Sequence, residues 1–137
     1  MNPLVPTHDT VCLDHTALLA LGSGNQFLSK RVVLAARSAR HGLLVPALCL
    51  TAATAQRPTL ADHIGGLPVL QLIDLAFSGA ARTGQVIAQG VPWEFAHAVV
   101  AARPSPEWPA GSPVLTLLPD VYQGTGTRTI LITGSGA

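Results

Sequence analysis

Four short apolar runs divide this chain at intervals too long for hairpins: TVCL (10–13), LLVP (43–46), LPVLQL (67–72) and VLTLL (114–118). A fifth, TILIT (129–133), follows closely after the fourth. Stretches of helical periodicity fill the gaps between the first four. Antiparallel strands can be joined by a tight turn, whereas parallel neighbours need a crossover, usually a helix. Apolar runs without polar alternation suit strands covered on both faces. These rules predict an α/β chain, a three-layer sandwich with a mainly parallel five-stranded sheet between helical layers. The runs at 10–13 and 114–117 are expected side by side at its centre.

A length of 137 residues fits one domain, expected over 1–137 with 1–9 and 134–137 as flexible ends. A short helix is read over ALLALGSG, ended by Gly22 and Gly24, with Asp14 or Thr16 as its N-cap. A longer helix follows over 25–41, stopped by Gly42. Its apolar stripe is Leu28, Val32, Ala35, Ala36 and Ala39. Lys30, Arg37 and His41 line its other side, flanked by Arg31 and Arg40. Further helices are read over 47–57, 74–89 and WEFAHAVVAAR, the last with Pro92 in its first turn. The segment 104–113, PSPEWPAGSP, reads as a loop.

Only 11% of the residues are charged, against roughly 25% in ordinary domains. A surface so poor in charge implies that part of it is covered, by a second copy in a homodimer or by a protein partner. A net charge of +1 removes any general attraction to nucleic acid or membrane. Cys12 and Cys49 stand in apolar runs without a CxxC partner and read as buried, reduced thiols. With no signal-peptide pattern and no apolar run that could span a bilayer, a soluble cytoplasmic protein is expected.

Asp14 closes the first apolar run and Asp120 follows the fourth. Ligands of parallel sheets lie beyond the carboxyl ends of the strands, so acids from opposite ends of the sequence can meet in one cleft. Paired carboxylates there are hard oxygen ligands, suited to Mg²⁺ or Mn²⁺. Asp is also common where a turn begins, and the two positions alone leave that alternative open. The stretches GSGN and GTGT lack phosphate-loop spacing and read as turns. Glu94 and His97 share a helix face without a second copy of the pair, and His15, beside Asp14, is a candidate for the cleft and equally suits a surface turn.

The order of elements, with the pieces VCLDHTALLAL, LLVPALCLTAA, WEFAHAVVAA and VLTLLPDVY, resembles the PIN-domain family across residues 10–133. These are small α/β metal-dependent ribonucleases that include toxins of toxin–antitoxin pairs. The resemblance implies Mg or Mn as cofactor and RNA as substrate. It places the first family acid on Asp14, with the hydroxyls of Thr16 and Thr116 behind it. The third acid falls on Glu94. The second and fourth fall on Ala52 and Leu118, with Asp120 two residues beyond. The implied catalytic and metal set is therefore Asp14, Glu94 and Asp120, with Lys30, Arg31 and Arg37 contacting RNA phosphates. Two-metal hydrolysis needs several carboxylates to hold the ions and orient water. With Ala52 and Leu118 in place, the expectation is a degenerate nuclease site and a protein acting through protein or nucleic-acid binding. The alternative is an active Mg-dependent ribonuclease toxin. A flavodoxin-like or other ligand-binding α/β domain is a third reading, for which no cofactor motif speaks.

Overall fold

Strand β1 (Val11–Leu13) runs through the middle of a five-stranded sheet in which every pairing is parallel. The computed structural model describes residues 10–38 and 40–133; the expected flexible ends and Ala39 lie outside the described residues. The strands are ordered β3 (Leu70–Ile73), β2 (Leu43–Pro46), β1, β4 (Val114–Thr116) and β5 (Thr129–Leu131). The chain starts at the centre, walks to one edge, then returns to add β4 beside β1 and β5 outside it. Cys12 pairs with Val114 and Leu13 with Leu115, which is the central adjacency expected from the two apolar runs.

Every residue of β1, β2 and β4 is buried. Successive side chains of a strand point to opposite faces, so both faces of this central part are covered. The edge strands differ. Leu72 and Leu131 are each about half exposed, and β3 and β5 contain no fully buried residue. β3 also begins three residues later than LPVLQL suggests, because Leu67 bonds back to Ile64 in the preceding turn.

Six helices connect the strands among the described residues: α1 (His15–Gly22), α2 (Gln26–Arg37), α3 (Ala47–Gln56), α4 (Leu60–Ile64), α5 (Phe77–Ala88) and α6 (Trp93–Ala101). A 3-10 turn spans Pro119–Tyr122. The short α4 occupies what the sequence reading leaves as a loop after Pro58. Asn25 starts α2 by accepting the Leu28 N–H on Oδ1 at 3.0 Å. That helix ends at Arg37, where Ser38 turns extended, four residues short of the expected limit. Within its predicted stripe Leu28 is buried and Val32 and Ala35 pack on the core, but Ala36 is exposed, as are Val33 and Leu34. Pro92 sits just outside α6 with ψ 142°, as its N-cap and not within its first turn.

The core joins the central strands to α1, α3 and α6 through Leu13, Leu18, Leu44, Leu115 and Val99, all essentially inaccessible. No helix among the described residues is long and apolar enough to cross a membrane. Leu115 is 0% exposed at the β1–β4 junction, so Leu115→Ala leaves a cavity beneath both strands. We expect it to lower unfolding stability by about 2–5 kcal/mol in urea titration, with the fold retained.

Candidate functional site

The sheet order reverses direction between β1 and β4, which opens a crevice beyond their carboxyl ends. Asp14 stands there, immediately after Leu13. Its backbone is extended (φ −81°, ψ −176°), the conformation of an N-cap, and its side chain turns back to start α1. Oδ1 accepts the Ala17 N–H at 3.0 Å and the Thr16 hydroxyl at 2.6 Å. Oδ2 accepts the Tyr122 hydroxyl at 2.7 Å. The group is 0% exposed.

Behind Asp14 the hydroxyls of Thr16 and Thr116 lie 3.3 Å apart. Thr16 Oγ1 also accepts the Leu117 N–H, and Thr116 Oγ1 accepts the Leu118 N–H, at 2.9 and 3.0 Å. The chain leaving β4 is thereby fastened to the start of α1. Asp14, Thr16 and Thr116 come together as the resemblance implies.

Glu94 lies half-buried in the first turn of α6, and its backbone carbonyl accepts the Cys49 Sγ–H at 3.5 Å. Asp120 is exposed in the 3-10 turn. Neither hydrogen-bonds to the Asp14 group, and among the described residues no three Asp, Glu, His or Cys side chains are grouped to hold a metal. Ala52 is buried in α3, and Leu118 is exposed beside the crevice. Lys30 and Arg37 are exposed on α2, with Arg31 between them partly covered.

Two participants take roles that the sequence does not announce: Tyr122, which is not among its candidates, and His97, which it pairs only with Glu94 on a helix face. Tyr122 reaches Asp14 from two residues past Asp120, because the 3-10 turn directs the acid outward and the phenol inward. Its ring meets Phe95 edge-on at 5.7 Å, and Phe95 in turn meets His15 at 4.7 Å. His15 Nδ1 is buried with no hydrogen-bond partner. The other participant is His97, whose Nδ1 accepts the Leu48 N–H at 3.2 Å. Pro46 offers α3 no side-chain cap, so His97 supplies one from α6. A lone Tyr after a proline turn carries no motif, and a cap reaching across two helices leaves no local spacing to read.

Burial pushes the Tyr122 phenol well above its ordinary range, and the negative charge of Asp14 adds to this. Burial likewise raises the Cys12 and Cys49 thiols, with Asp14 again contributing. These groups stay protonated around the one carboxylate. Burial lowers His97, in keeping with a neutral ring whose Nδ1 is an acceptor.

A parallel sheet of this order, with an acid and two threonines at the central crevice, is consistent with a PIN-like fold. No protein-family model matches the sequence, and neither does any curated protein. Among solved structures, a chain of the DNA-bound VapBC structure from Salmonella typhimurium superposes with a TM-score of 0.64. The match covers 90% of this chain and 98% of that one at 17% identity, a likeness of fold.

Tyr122 is the sole tyrosine, so alkaline titration by phenolate absorbance reads this site alone. We expect no phenolate signal above the ordinary value of 10.0 until the protein unfolds. Tyr122→Phe strands Oδ2 without its donor and should cost about 1–3 kcal/mol in urea.

For His97 the folded value lies below the ordinary 6.5. As pH falls through 6.5 the unfolded chain gains a proton there before the folded chain does, so stability falls with it. The denaturation midpoint should drop between about pH 7.5 and 5.5, less so in His97→Gln.

Proposed function

We propose that this PIN-like domain works by binding and does not cleave phosphodiesters. The observation that carries the reading is the state of Asp14, the family acid at the carboxyl end of β1. A carboxylate that holds Mg²⁺ or Mn²⁺ must turn an oxygen lone pair toward open space where waters and phosphates complete the shell. Here Oδ1 has two donors, Oδ2 has the Tyr122 phenol, and the group is sealed from solvent. An ion would have to displace a buried phenol that burial holds in its protonated form. Ala52 and Leu118 offer no oxygen at two of the family positions, Glu94 makes no hydrogen bond to the Asp14 group, and Asp120 is exposed. The donor set therefore does not fit the metal that the fold implies.

What remains is a recognition scaffold. The VapBC chain of the same fold comes from a protein complex bound to DNA. Two classes of partner suit this chain. Exposed Val33 and Leu34 on α2, with Leu131 at the sheet edge, favour a second copy or a protein partner. Lys30, Arg31 and Arg37 along α2 could meet the phosphates of a nucleic acid through charge, without reading sequence.

Cleavage of single-stranded RNA with Mg²⁺ and Mn²⁺ tests the reading, on wild type, Asp14→Asn and Glu94→Gln. No metal-dependent product is expected from any of the three. Robust cleavage by wild type that both substitutions abolish would reinstate the ribonuclease alternative. Light scattering checks the covered-surface part: a mass above that of one chain is expected, and a strict monomer would remove the second copy from the reading.

A further inference from the structure

The crevice over Asp14 opens into a cleft of about 500 Å³, within the range of small-molecule sites. Its walls are Leu19 and Ala20 of α1, Leu117 and Leu118 after β4, and Arg57 at the end of α3. Asp14, sealed from solvent, is bonded to the lining residue Thr16, and among the described residues no acid lines the walls. In a site that the fold would fill with carboxylates, the fixed charge among these residues is a cation.

Arg57 is held in place. Its Nη2 donates to Ser23 Oγ at 3.0 Å and its Nη1 to the Leu19 carbonyl at 3.4 Å, both on the closing turn of α1. Gly22 makes room for this: a Cβ there would run into the Leu60 side chain and come within 3.1 Å of Arg57 Nη1. The guanidinium is half-buried, and no carboxylate pairs with it among the described residues. Guanidinium groups recognise carboxylates and phosphates by a planar fork of donors, and most of that fork stays unused here. A pre-positioned fork loses little freedom when it binds, which raises affinity.

We propose that this cleft binds a small anionic amphiphile, with a carboxylate or phosphate head on Arg57 and an apolar body against Leu19, Leu117 and Leu118. The inference goes beyond the binding reading above and rests on its premise that the cleft does not cleave. An RNA strand is the poorer fit, because it needs a track of cations along its backbone, and among the described lining residues Arg57 stands with neutral polar groups and leucines. A neutral apolar ligand would leave the guanidinium without a counter-ion. Leu117 and Leu118 are each nearly half exposed, so a ligand body would cover apolar surface that water now touches.

The test is amide NMR titration of the whole chain with octanoate, octyl phosphate, octanol, inorganic phosphate and a single-stranded RNA oligonucleotide. Octanoate or octyl phosphate should shift the Leu19, Ser23, Leu117 and Leu118 resonances, and the tighter of the two identifies the head group. Arg57→Gln should weaken that ligand about ten-fold or more, and Arg57→Lys by less. Leu118→Asp, on an exposed side chain, places an acid in the cleft and should abolish binding with the fold intact. It keeps the test decisive if Arg57→Gln fails to fold. The proposal is overturned if octanol binds as well as octanoate, if Arg57→Gln or Leu118→Asp binds unchanged, if RNA moves these resonances at lower concentration, or if no probe moves them. RNA cleavage in the same preparation separates the two readings. Cleavage defeats the non-cleaving premise, whereas absence of both cleavage and amphiphile binding defeats this inference alone.

Discussion

The rest of the structure depends on a single buried carboxyl group. Taking a charge out of water is costly unless hydrogen bonds replace the lost hydration. Asp14 obtains three donors from two places: a hydroxyl and an amide in the first turn of α1, and a phenol from the 3-10 turn near the other end of the chain. These donors tie the end of β1 to the start of α1 and to the segment that follows β4. The two threonines extend the tie into the backbone of Leu117 and Leu118. The same carboxyl group thus fastens three segments of the fold.

That distinction bears on how such folds lose or keep activity. A catalytic carboxylate needs an unsatisfied oxygen aimed at the reacting centre, and that want of partners is a cost the fold must carry. In this chain both oxygens of Asp14 have donors, Tyr122 on Oδ2 among them, and Cys12, Cys49 and Tyr122 stay neutral around it. The result is a tight crevice floor under a cleft with apolar walls and a basic edge.

The central sheet was legible because its determinants are local. VCL, LLVP and VLT are short, apolar and far apart, which fixes parallel pairing and two-sided burial before any partner is known. Asp14 and Thr16 were legible for the same reason, as a strand end meeting a helix start. The edges were less so: β3 and β5 are half exposed, and their limits follow from neighbouring turns more than from their own composition. Helix α2 stopped early because Ser38 turns extended, which no Gly or Pro at that position announces. Tyr122 was illegible because its partner lies 108 residues away, and His97, noted beside Glu94, gave no sign of the Leu48 amide 49 residues away. Attention to acids favoured Asp120, when the inward residue of that turn was the aromatic two positions on.

The placement of β1 and β4 also governs how the chain can come to exist. The central strand β1 precedes one of its two neighbours and the Tyr122 phenol by about a hundred residues. Contacts of such long sequence separation form late and slowly, since the intervening loop must close before they repay its entropy. During synthesis β1 can pair with β2 while its other edge waits open and apolar. An unpaired apolar edge of this kind is a template for the wrong strand. The nascent chain thus passes through a stage in which its own centre is its most vulnerable surface, and that stage ends only when the last quarter of the sequence arrives.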